Sequence, residues 1–309
     1  MFSNHSESRP PIFLLAGFPG LEKHHFWISL PICSMYLVAL TGNCTILFVI
    51  RTDPTLHSPM YYFLSMLALS DLGLSFATLP TMLSVLWFNH REIHFDACLI
   101  QMFFIHTFSI LKSGILLSMA FDRLVAIWNP LRYVRDGHQD WGGIVLQSSY
   151  LVLPGPILMS LQEFGRMNVL SYSMSLHPDL LKLVHSDRRN SSVYGLIVML
   201  SSTGVDSVLL VLSYALILRT VLGVASKEER SQALSTCISH LCAVLSFSIP
   251  MLGLSMIHRF GRHASPIVYI VIANAFVLVP PLMNPIVHSV KTKQILRGIF
   301  KTFQKEGVP

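Results

Sequence analysis

Seven long stretches of this chain are almost continuously apolar, around residues 26–50, 58–86, 98–128, 141–161, 193–222, 233–258 and 265–289, with polar residues gathered between them. Each reaches the ~20 residues that an α-helix needs to cross a bilayer core about 30 Å thick. None shows the strict alternation of a membrane β-strand. The pattern predicts an all-α membrane protein, a bundle of seven transmembrane helices forming one domain over residues 1–309. Beyond the last span, apolar Ile295, Ile299 and Phe303 recur every four residues among basic ones. That spacing predicts a short amphipathic helix on the inner membrane surface.

Composition agrees. Charged residues make up 12% of the chain and hydrophobic ones 52%, whereas a water-soluble domain carries about a quarter charged residues. An odd number of spans puts the termini on opposite sides. Residues 1–25 carry the glycosylation acceptor Asn4-His5-Ser6, which favours the outside. Residues 291–309 carry Lys291, Lys293, Arg297, Lys301 and Lys305, which favour the cytosol. Basic residues summed over all loops point the same way only weakly. Residues 1–23 lack a cleavable signal pattern, so the first span is expected to act as the targeting signal. A net charge of +6 reads as attraction to the inner leaflet, not to nucleic acid. The one long connection, residues 161–192, is expected to be structureless and to act as a lid over an outer cavity. It contains a second acceptor, Asn190-Ser191-Ser192.

Asp122-Arg123 closes the third span, where adjacent charges are costly and point to a functional site. Other blocks follow in order: Phe18-Pro19-Gly20-Leu21-Glu22, Gly42-Asn43, Pro59-Met60-Tyr61-Tyr62-Phe63-Leu64 with Asp71, and Ser213-Tyr214. Ser235 to Leu241 and Pro281 to His288 complete the set. Their order and spacing resemble the olfactory-type rhodopsin-like receptors over essentially the full length. The first block, the long outer loop and His258-Arg259-Phe260-Gly261 resemble the class I, fish-like branch of that family.

The resemblance implies an odorant receptor in the cell membrane that activates a stimulatory, olfactory-type heterotrimeric G protein and so raises cyclic AMP. Arg123 would pair with Asp122 at rest and turn toward the G protein when span six swings out. Asn284, Pro285 and His288 would form the inner switch of span seven, because Pro285 frees a backbone carbonyl and permits a kink. A ligand cavity is expected between spans three, five, six and seven at their outer ends, lined by Met102, Phe103, His106, Thr107 and Ile110 of span three and by Ser255 and Arg259 of span six. Positions matching His106, Ser255 and Arg259 contact acidic odorants in related receptors, so polar or acidic odorants are expected. Arg259 could instead be part of an exposed loop cluster with Arg262 and His263.

The sequence departs from the family at several positions. Leu124 and His288 replace tyrosines, and Lys112 replaces a glutamate. Gly165, Ser175 and His185 replace cysteines, one of which would bridge to the position of Cys98. Asn43, Asp71 and Asn284 are polar residues in three spans, at positions that form a mid-membrane sodium site in rhodopsin-like proteins. Lys112 lies ~16 Å along the helix from Arg123, too deep for its stem to reach bulk water. A buried ammonium needs an acid, and Asp71 is the candidate, so Asn43, Asp71 and Lys112 define a mid-membrane polar site. The alternative is Lys112 in a wet cavity.

No paired carboxylates, nucleophile–base couple or phosphate loop is visible, so no enzyme activity, cofactor or metal is expected. Cys237, His240 and Cys242 share a helix, but Cys242 lies off the face of the other two. Two rival readings remain at this point. One is a drifted member of the same family that signals weakly or not at all. The other is a small-solute transporter, which would need a continuous polar path through spans whose charges are nearly limited to Asp71, Lys112 and Asp206.

Overall fold

A computed structural model of the chain describes residues 12–128, 141–164, 168–185, 189–222, 227–260 and 265–291. Spans one to three are the helices α1 (His25–Thr52), α2 (Pro59–Phe88) and α3 (Phe95–Trp128). Span four comes in two pieces, α4 (Trp141–Val152) and α5 (Pro154–Ser160). The break falls where Pro154 has no N–H to continue the ladder. After α6 (His177–Leu183), span five runs as α7 (Arg189–Met199), a π-helical turn (Leu200–Gly204) and α8 (Val205–Leu222). Spans six and seven are α9 (Lys227–Phe260) and α10 (Pro266–Lys291). Among the described residues six helices meet the length and apolarity needed to cross a membrane. The two pieces of span four fill the remaining place, together covering residues 141–160.

Local chemistry sets the ends. Pro59 opens α2 at a position where a missing N–H costs nothing. Asn89 closes it in the left-handed region at φ 48°, its N–H returning to the Ser84 carbonyl. Large side chains such as Leu37, Phe48, Phe76, Val211 and Ile249 point outward, as expected when the solvent is lipid. Spans one and seven approach closely: a Cβ at Gly42 would lie 2.7 Å from Pro285 Cβ. Pro285 also leaves the Pro281 carbonyl without its helical donor. The Asn43 amide supplies one instead, at 3.0 Å.

The spans form the all-α bundle expected, and one end adds a small sheet. The long connection is not structureless, which corrects that expectation. Strand β1 (Ile12–Leu15) pairs antiparallel with β2 (Glu92–His94) and parallel with β3 (Val169–Leu170), giving the order β2-β1-β3. Alternate residues Phe13 and Leu15 turn inward, the period expected of a half-buried strand. Phe13, Phe95 and Phe164 then form a ring cluster with centroids 5.4–5.9 Å apart. The connection carries β3 and α6, and span five begins at Arg189, so the loop is shorter than residues 161–192. The amphipathic segment expected after span seven lies outside the described residues beyond Lys291.

Candidate ligand cavity and mid-membrane switch

Beneath the sheeted end lies a cavity of about 380 Å³ bounded by spans three to seven and by α6. Met102, His106 and Ile110, spaced four apart on α3, all line it, as does Ser255 on α9. Phe103 and Thr107 do not; Phe103 packs edge-to-face on Phe104, and Thr107 is buried away from the cavity. The reason is helical: Ser109, three residues after His106, takes the face that Thr107 misses. The Arg259 side chain lies outside the described residues. Span five supplies the wall expected of it, through residues that the sequence did not single out, including Tyr194 and Met199.

The lid is built, not draped. The His177 backbone N–H donates to His106 Nε2 at 3.3 Å, which fixes that nitrogen as an acceptor. Gly195 leaves room for the His177 ring: a Cβ there would lie 2.9 Å from His177 Cε1. Ser171 N–H donates to the buried Asp179 carboxylate at 2.5 Å, and Lys182 pairs with the same group at 3.3 Å. Burial raises the Asp179 carboxyl above the usual carboxylate range, against the opposing pull of Lys182. The Lys182 ammonium also sits 5.6 Å from the Tyr172 ring and 5.1 Å from that of Tyr269 on span seven. Those contacts tie the lid to the bundle.

Burial, reinforced by His258, depresses the His177 imidazole to about 4. Its closed-lid value is therefore below the open-lid value near 6.5. Closed-lid stability is full above that range and falls as pH drops through it toward 4, by at most about 1.4 kcal/mol per pH unit. Hydrogen exchange of residues 171–183 should accelerate between pH 7 and pH 5. The same acceleration in a His177→Gln variant would remove this histidine from the account.

Deeper in the bundle the Lys112 ammonium forms an ion pair with Asp71 Oδ1, both side chains fully shielded. The wet-cavity alternative is corrected by that burial. Asn284 Nδ2 donates to Asp71 Oδ2 at 2.6 Å, so one carboxylate joins spans two, three and seven. Asn43 stands apart, its amide given to the Ala39 and Pro281 carbonyls. The Phe247 ring centroid is 6.0 Å from Lys112 Nζ. Asp206 accepts from Ser113 at 2.6 Å, linking spans three and five.

At the opposite end from the sheet, Asp122 is buried and engaged. Arg123 lies within electrostatic range of Tyr61, Tyr214 and Cys237. Leu124 packs with Ile217 and Cys237, and Tyr214 bonds His240 Nδ1, so spans three, five and six meet here. Pro285 lies against Gly42; the His288 side chain is outside the described residues. Asn190 is exposed in the first turn of α7, and Asn4 lies outside the described residues.

Comparisons with known proteins agree with this architecture. A family model described as olfactory receptor matches residues 32–306. Human olfactory receptor 51G2 is 54% identical over 309 residues, covering 97% of each chain. Human olfactory receptor 51L1 is 52% identical over 305 residues, again covering 97% of each. Squid rhodopsin is similar in structure, with a TM-score of 0.72 at 13% identity, over 92% of this chain and 86% of the other. That last likeness concerns the fold alone.

Proposed function

The chain belongs to the olfactory receptor family, and from that premise we propose that its ligands are small polar or acidic odorants taken into the lidded cavity. It is a multi-pass plasma-membrane receptor, not an enzyme, and its family implies a small-molecule ligand and a G protein. In the proposed arrangement the sheeted end, with Asn4 and Asn190 as glycan acceptors, faces outward. The Arg123 end and the basic tail face the cytosol and engage a stimulatory G protein. Asp122, Arg123, Asn284, Pro285 and His288 make up the inner switch. The observation that carries the reading is the cavity, in which His106 and Ser255 from two helices converge under a lid. The Ser255 hydroxyl donates to the Met199 thioether at 2.8 Å, a weak acceptor that a ligand oxygen can replace.

The test is cyclic AMP accumulation in cells with matched surface expression, using straight-chain carboxylic acids and alcohols of equal carbon number. Arg259→Ala should weaken acid responses about tenfold or more while sparing alcohols, the loss expected for one charge-assisted hydrogen bond. An unchanged acid response removes Arg259 from the site. A second reading, a drifted member that signals weakly, is favoured by Leu124, whose apolar packing removes a hydroxyl from the coupling surface. Silence toward every compound despite normal surface delivery would favour it.

A further inference from the structure

Phe276 of span seven lines the ligand cavity. Its ring centroid lies 6.3 Å from that of Phe247 on span six, with the planes at 39°. Phe247 in turn faces the Lys112 ammonium at 6.0 Å, within reach of a cation–π attraction. Lys112 is paired to Asp71, and Asp71 to Asn284. Phe276, Phe247 and Lys112 are all nearly or fully buried. A continuous line of packed groups therefore runs from the cavity wall to the ion pair that joins spans two, three and seven.

Building on the receptor reading, we propose that Phe247 is the positioning residue through which occupancy of the cavity acts on the Asp71–Lys112 pair. Close-packed interiors shift between discrete arrangements rather than compress. A ligand pressing on Phe276 displaces Phe247, and Phe247 is the aromatic face that ties span six to the charge on span three. Its departure frees span six and leaves the ammonium with Asp71 alone.

A double-mutant cycle on Phe247→Leu and Lys112→Met in the full-length receptor tests it, with Phe247→Tyr as the variant that keeps the aromatic face. Basal cyclic AMP per surface receptor should rise about three-fold in Phe247→Leu, the size expected for losing one cation–π contact. Phe247→Tyr should stay near the parent level. Phe247→Leu should add nothing once Lys112 is already Met. Effects that multiply independently, or a Tyr variant as active as the Leu variant, would overturn the proposal.

Hydrogen exchange on purified receptor supplies a readout that does not need signalling. Exchange around Asn284 should quicken in Phe247→Leu, remain slow in Phe247→Tyr and show the same non-additivity with Lys112→Met. Silence of every chain in cells with this exchange pattern intact would refute the signalling reading and leave the coupling standing. Unaltered exchange in Phe247→Leu would refute the coupling itself.

Discussion

Ser175→Cys should create a disulfide with Cys98 and stabilise the receptor by about 2–4 kcal/mol, the usual worth of a native bridge. Both residues are fully buried, and the Ser175 hydroxyl lies beside the Cys98 thiol. The Ser175 N–H already donates to Gln101 Oε1 at 2.9 Å, one helical turn from Cys98. Gln101 is itself braced by the Ala77 carbonyl and the Thr81 hydroxyl, at 2.9 and 2.8 Å. The backbone is thus held in register without a covalent link, so the bridge needs little rearrangement. The thermal midpoint in detergent should rise by several degrees and surface delivery should increase, both effects vanishing on reduction or with Cys98→Ser. A variant that shows no bridge by intact mass, or a bridge without any thermal shift, would contradict this geometry.

The same locus marks how far the sequence could be read. Three cysteine-to-other departures, at Gly165, Ser175 and His185, stood as equal candidates, because a chain pattern records which residues are missing and not which one faces Cys98. Among the described residues it is Ser175 that lies beside the Cys98 thiol. Likewise the long connection read as structureless, yet β1 lies between β2 and β3 and Lys182 reaches Tyr269. Those pairings join segments far apart in the chain, where no local period announces them. The spans themselves were legible, since each had to hide its own backbone from lipid. So was the α3 side of the cavity, where the four-residue spacing carried the face.

Asp71→Ala should be the most damaging single change in the bundle. It strands the Lys112 ammonium, whose ion-pair partner among the described residues is Asp71, and breaking one side of a buried pair costs about 3–5 kcal/mol. Among the described residues the lysine would keep the Phe247 ring, 6.0 Å away. Lys112→Met should cost less, because the remaining carboxyl keeps the Asn284 donor at 2.6 Å. Joining Asp71→Asn to Lys112→Met removes both charges at once while an amide oxygen at position 71 can still accept from Asn284. The double variant should therefore be more stable than Asp71→Ala and far better than the sum of the single losses, since uncharged side chains of similar size often replace a buried ion pair at little cost. Thermal midpoints of purified receptor, with surface expression alongside, measure the cycle. Strictly additive losses would mean that the two charges do not sustain each other, and that the ion pair joining spans two and three contributes nothing to holding the bundle together.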